Sequence, residues 1–232
     1  VVRCVVDGPV SAREEGGGIS ETTNGIAATA YYPDGAPVPG ALVRLRRADY
    51  LAGDIDTSRG NFRNLSTDSH GYFSIDSLDS GSYFVEISDT DSNAALLSTE
   101  ITGSRRIDTP GLTLYPAAVL TGSITARNSA VGPVRISVYG LERVSTADPS
   151  GQYRLAVPAS HPYRLQLGDD SGAVDTDIDT LRAGVTETAD FDLYQLDSLA
   201  VRAVLDSMGL HQVIWDSTVG THGTRIRTLN LA

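Results

Sequence analysis

The chain has 232 residues, 41% of them apolar, with 18 basic against 29 acidic side chains and a formal net charge of -11, and a chain of that length buries one large core or two small ones. Every basic residue is arginine, which excludes Schiff-base chemistry, a phosphate-loop lysine and a lysine-to-asparagine isopeptide crosslink. The single cysteine excludes internal disulfides and cysteine zinc clusters, and an acidic balance with scattered arginines argues against nucleic acid as a partner.

Residues 1–24 read as a flexible polar leader, with Gly16-Gly17-Gly18 inside it. Cys4 near its start resembles the acylated cysteine of a bacterial lipoprotein, which would make it a lipid-attachment site; the other reading is a free thiol. Arg3 precedes it, where the lipoprotein signal prefers a small residue. The chain opens on Val1, so we expect a signal upstream. No stretch approaches the roughly 18 consecutive apolar residues of a spanning helix.

A short alternating strand opens at Gly25, and turn signals follow at Pro33-Asp34-Gly35 and Pro39-Gly40. Val43-Arg44-Leu45-Arg46 alternates as a strand with one buried and one solvated face. The turn Asp68 to Gly71 precedes Phe73 and Ile75, which point one way, as do Tyr83, Val85 and Ile87 further on. Aspartate can bond backbone two residues ahead while glycine takes positive φ, which predicts that this turn closes a hairpin. The second half repeats the pattern: Asp148, Gly151, Tyr153, Leu155, Tyr163, Leu165 and Leu167 each lie 80 positions after Asp68, Gly71, Phe73, Ile75, Tyr83, Val85 and Ile87. Leu112-Thr113-Leu114-Tyr115 recurs as Phe191-Asp192-Leu193-Tyr194 at 79. Aligning the opening at Gly25 with Gly122 gives 97, which assigns the first copy about 17 extra residues, placed in Ala48 to Ser66 as a surface excursion. About seven short strands per copy, with a turn every 8 to 12 residues, predict a β-sandwich.

Asp34-Gly35-Ala36-Pro37-Val38-Pro39-Gly40-Ala41-Leu42-Val43-Arg44-Leu45, then Thr67 to Ile75, then Gly81 to Ile87, resembles the carboxypeptidase regulatory-like domain, a transthyretin-like sandwich. The second copy is looser: Gly132-Pro133-Val134 lacks the proline-glycine-alanine run, and His161-Pro162 replaces the glycine before Tyr163. The resemblance implies a fold and no chemistry, since the zinc of such peptidases sits in another domain.

Past Gln195 the period becomes helical: Asp197 or Ser198 can cap a helix carrying Val201, Val204, Leu205 and Met208, with Gly209 as its stop. Trp215 and Ile226-Arg227-Thr228-Leu229-Asn230-Leu231 follow. This order resembles the N-terminal cap of a bacterial leucine-rich repeat domain, which implies exposed apolar side chains awaiting a neighbour and a protein that continues; the other reading packs the segment on the second sandwich.

The fold class expected is therefore mainly β: two tandem antiparallel β-sandwich domains, residues 25–116 and 117–195, and a short C-terminal helix and strand within 196–232. No catalytic, cofactor or metal site is assigned. His70, His161, His211 and His222 have no metal-pair spacing, and no nucleophile elbow is present. Asp175, Asp177 and Asp179, with Asp169, Asp170, Asp89 and Asp91 in related loops, read as solvated carboxylates rather than a calcium loop. The function expected is a non-catalytic, extracytoplasmic spacer or adhesion protein at the cell surface, secreted or lipid-anchored, with a protein or glycan ligand; the alternative is a carbohydrate-binding module stacking sugars on Tyr31 or Tyr32.

Overall fold

A computed structural model of the chain describes residues 24–52, 62–103, 106–125, 133–169 and 172–207. Cys4, Met208, Gly209, Asp170, Trp215, His211, His222 and the expected strand near Ile226 lie outside them. Among the described residues nine strands come first: β1 (Gly25–Tyr31), β2 (Leu42–Arg47), β3 (Arg63–Ser66), β4 (Tyr72–Asp76), β5 (Gly81–Ser88), β6 (Asn93–Ile101), β7 (Arg106–Asp108), β8 (Leu112–Thr113) and β9 (Tyr115–Pro116). Then follow β10 (Ala118–Thr125), β11 (Arg135–Val138), β12 (Val144–Thr146), β13 (Gln152–Val157), β14 (Tyr163–Asp169), β15 (Gly172–Ile178), β16 (Thr186–Thr188), β17 (Phe191–Asp192) and the helix α1 (Leu193–Ser207).

The fold is mainly β and built as two sandwiches. In the first, the order β4-β1-β7, with β8 also on β1, faces the order β3-β2-β5-β6-β9. In the second, β13-β10-β16, with β17 also on β10, faces β12-β11-β14-β15. Most pairs are antiparallel; β7 and β8 run parallel to β1, and β16 and β17 parallel to β10, because the chain returns from one sheet to the edge of the other. Each sandwich closes on its own apolar core, as alternating inward side chains require.

The repeat governs burial. Phe73, Ile75, Tyr83 and Val85 are buried in the first core, and Tyr153, Leu155, Tyr163 and Leu165 in the second. Leu114 and Leu193, 79 positions apart, are both wholly buried. The hairpin expectation is corrected. β3 and β4 belong to different sheets, as do β12 and β13, so each Asp-x-x-Gly turn carries the chain across the sandwich. Gly71 and Gly151 take φ of 75° and 83° there, and their N–H groups bond the carbonyls of Asp68 and Asp148. A Cβ at either would meet the carbonyl oxygen of Ala30 or Ile124 at 2.5 or 2.6 Å, so glycine is needed for close approach as well as for φ.

Register also corrects the opening alignment. The carbonyls of Gly71 and Gly151 accept from the N–H groups of Ala30 and Ile124, making those residues equivalent at a spacing of 94 rather than 97. Val43 faces Ile87 as Ile136 faces Leu167, a spacing of 93. Leu65 faces Val43 as Ser145 faces Ile136, a spacing of 80. The excess in the first copy is therefore 13 residues between Val43 and Leu65. The expected excursion Ala48 to Ser66 is too long at its end, because Arg63–Ser66 is the edge strand β3, the counterpart of β12.

The helix starts earlier than expected. Asp192, not Asp197 or Ser198, is its cap, its carboxylate accepting the N–H groups of Tyr194 and Gln195 at 2.9 and 3.3 Å. Leu193 anchors the first turn in the second core, while Leu199 and Val204 are each 58% exposed.

Candidate functional site

Successive residues of β2 and β5 point to opposite faces. Val43, Leu45, Val85 and Ile87 enter the first core, so Arg44, Arg46, Phe84 and Glu86 project from the other face of the sheet. That face meets the second sandwich. Phe84, with Leu96 beside it on β6, packs against the second core, and the ring of Phe84 rests on Gly140, where a Cβ would come within 1.9 Å of it. Gly140 also has φ of 76° and donates its N–H to the Tyr50 carbonyl at 2.7 Å, a residue of the segment that the second copy lacks.

Around this contact lies a buried ion network. Arg46 is 2% exposed and Glu86 1%. The guanidinium of Arg46 donates to Glu142 from Nε at 3.2 Å and from Nη2 at 2.5 Å, to the carbonyls of Leu45 and Arg63 and to Asn64. It also lies over the Phe62 ring, 3.2 Å from its centroid. Arg143 donates to Glu86 from Nε at 2.9 Å and again from Nη2; Arg44 reaches both Glu86 and Glu142. Burying charge is costly unless opposite charge and hydrogen bonds surround it. Here Glu142 meets that need for Arg46 from across the junction and Arg143 for Oε1 of Glu86, while Oε2 of Glu86 has Arg44 at 3.8 Å and no hydrogen bond. The backbone is tied as well: Ala117 alone separates β9 from β10 and donates to the Ser92 carbonyl, while Gly184 donates to that of Pro116.

Beside the junction is a cleft of about 510 Å³. Arg47 and Asp49 of the first sandwich line one side, Tyr139 and Arg164 of the second line the other, and Phe84 and Tyr163 are also in its wall. Arg47 pairs with Asp49 at 3.5 Å and Arg164 with Asp175 at 2.6 Å. The Tyr139 hydroxyl donates to Asp175 at 3.0 Å and accepts from Gln166 at 3.2 Å, with the Arg164 guanidinium 4.9 Å from its ring centroid. Burial, and then the bond to Asp175, raise the pKa of Tyr139, so this hydroxyl is a neutral donor.

The structure gives the residues singled out by sequence other surroundings. Tyr31 does not present a free ring: its edge lies over Gly111, where a Cβ would be 2.4 Å away, and Tyr32 packs partly buried on the first core. Asp89 accepts the N–H groups of Asp91 and Asn93, Asp169 accepts that of Gly172, and Asp175 serves Arg164 and Tyr139. Asp177 and Asp179 are exposed. Among the described residues no group of three or more His, Cys, Asp or Glu side chains is placed to hold a metal ion. His70 lies in the exposed turn before β4 beside Ser69, and His161 stacks edge-on against Phe84. No described helix is long and apolar enough to cross a membrane. Sequence reading missed the junction because it took the arginine face of β2 as solvated; the signal was Phe84, a large apolar ring on that same face.

No protein-family model matches the chain, and no curated protein matches it. Among solved structures it is similar to the Bacillus anthracis TIE protein (10% identity, 74% of this chain and 34% of that one, TM-score 0.30). It is also similar to a streptococcal ancillary pilin (13%, 74% and 63%, TM-score 0.31) and to a minor pilin of Streptococcus agalactiae (14%, 73% and 94%, TM-score 0.33). The chain thus spans about a third of the first and under two thirds of the second. With TM-scores of 0.30 to 0.33, these likenesses fix no role for this chain, whose fold rests on its own sheets.

Proposed function

We propose that this chain is a non-catalytic, extracytoplasmic spacer or adhesion protein that presents an interaction domain at a bacterial cell surface, with Cys4 as a lipid-attachment point and a protein or glycan as its partner. One observation carries this reading: the two sandwiches join through one intervening residue, Ala117, and a buried network in which Arg46 and Glu86 find their charge partners across the junction. A spacer must hold its two ends at a fixed separation, and a short linker with an interface of this kind suppresses the interdomain motion that is otherwise the default. The apolar side chains of Leu199 and Val204 on α1 support the leucine-rich-repeat cap beyond the second sandwich. Spin labels at Ser69→Cys and Ser150→Cys, in a Cys4→Ser background, test the joint through the distance between two exposed turns. A single narrow distribution is expected; a broad one rejects the spacer. The carbohydrate-binding reading draws its support from the cleft beside the junction rather than from Tyr31 and Tyr32.

A further inference from the structure

We infer that the cleft between Arg47 and Arg164 is a binding site for a neutral pyranose sugar of one or two rings. This rests on the carbohydrate reading and on the docked junction, since each sandwich supplies one wall.

The volume, about 510 Å³, lies within the roughly 300–1,000 Å³ of small-molecule sites. A pyranose has apolar C–H faces and hydroxyl edges. The cleft offers the matching pair of surfaces, with the Phe84 ring in its wall and, around it, the guanidinium donors of Arg47 and Arg164, the carboxylate of Asp49 and the phenol of Tyr139. Charge selects against an ionic ligand. Two arginines and one carboxylate line the cleft, but each guanidinium is already paired, Arg47 with Asp49 in the wall and Arg164 with Asp175 outside it, and the chain's net charge of -11 repels an anion at longer range. Hydroxyl groups, which both donate and accept, can use a guanidinium and its carboxylate together.

The repeat strengthens the assignment. Phe84 and Glu86 of β5 correspond, 80 positions on, to Arg164 and Gln166 of β14, and Leu96, which faces Glu86, corresponds to Asp175, which faces Gln166. In the first copy this face carries Phe84 and Leu96 beside the buried charges of Arg46 and Glu86, and is covered by the second sandwich. In the second copy the same face carries a polar group already held in place: Gln166 bonds Tyr139, Tyr139 bonds Asp175, and Asp175 bonds Arg164, with Arg164 58% exposed. The face that docks a neighbour in the first copy thus holds hydrogen-bonding groups in fixed positions at a cleft mouth in the second, which lowers the ordering cost of a polar ligand.

The test is an amide chemical-shift titration of the full chain with maltose, cellobiose, chitobiose and sodium glucuronate. Saturable shifts at Phe84, Tyr139 and Arg164 with at least one neutral disaccharide are expected. Arg164→Ala should then weaken that binding about tenfold or more, the loss of one charge-assisted hydrogen bond. Tyr139→Phe, which removes a single hydroxyl, serves if the alanine variant does not fold, and should weaken binding in the same direction. Shifts with glucuronate alone, shifts centred on Tyr31 and Tyr32, or none at the cleft overturn the proposal. The Ser69–Ser150 label distance separates the two failures: a narrow distribution without sugar binding removes the site alone, whereas a broad one removes the docked junction that forms it.

Discussion

Tyr153 and Tyr163 each bury a phenol in the second core and direct its hydroxyl at a backbone carbonyl, of Ala189 at 2.7 Å and of Pro158 at 2.5 Å. Burial raises both pKa values well above the usual 10.0, so the folded state keeps protons that the unfolded chain releases. The stability they contribute is complete below pH 10 and is lost as pH rises above it. We expect a melting temperature flat to about pH 10 and falling beyond it. Tyr163→Phe should cost about 1 kcal/mol at neutral pH, the net worth of one hydrogen bond, and lessen the alkaline fall; an unchanged alkaline limb would contradict the burial of that hydroxyl. At the acid end, backbone and serine hydrogen bonds lower the pKa values of Asp68, Asp148 and Asp190 below 3.8. Their contribution is present above about pH 4 and disappears as pH falls through the lowered values, and Asp148→Asn should shift the acid limb of the melting curve.

At the scale of elements, Gly140 decides whether the sheets meet. Even one methyl group there would force the Phe84 ring off its seat, and the residue's positive φ adds a cost of about 1–2 kcal/mol for any side chain. Gly140→Ala should therefore destabilise by about 2–4 kcal/mol, strain and overpacking together, measurable by urea unfolding; a loss under half a kcal/mol would show that Phe84 does not pack there. Removing Ala48 to Ser66 should also destabilise, since it takes away β3, the Phe62 ring beneath Arg46 and the Tyr50 carbonyl that receives Gly140. The inward positions of both cores were legible in sequence because period-two alternation and an 80-residue repeat mark them independently. Two things were not. An Asp-x-x-Gly turn looks the same whether it joins neighbours in one sheet or crosses between two, since the local bonds of Asp68 and Asp148 are identical in either case. Alternation also separates two faces without saying what covers the second one. The partner of Arg46 is Glu142, 96 positions away, and no local pattern links them. The cleft was illegible for the same reason, for its walls come from different copies.

At the scale of the whole molecule, Glu86 is the charge on which the junction turns. It is 1% exposed and placed between Arg143 and Arg44, whereas the other carboxylate of the network, Glu142, is 29% exposed. Water can replace part of what Glu142 provides but has little access to Glu86. Glu86→Ala leaves three arginines, Arg44, Arg46 and Arg143, facing one carboxylate; since Arg143 and Arg44 are 29% and 25% exposed and water reaches them, the loss should fall below the about 3–5 kcal/mol of a fully buried pair. Replacing both partners, Glu86→Leu with Arg143→Leu, removes the stranded charge and should recover much of that loss. Added salt should weaken the wild-type junction little, because a buried pair is poorly screened. If the junction couples the sandwiches, the wild-type chain unfolds in one calorimetric transition. Glu86→Ala should then split it, the two sandwiches melting separately, and the double leucine variant should bring the two transitions back together. Two transitions already present in the wild type, or a Glu86→Ala variant that still melts as one unit at the same temperature, would mean that each sandwich stands alone and that the charges at their boundary do not join them.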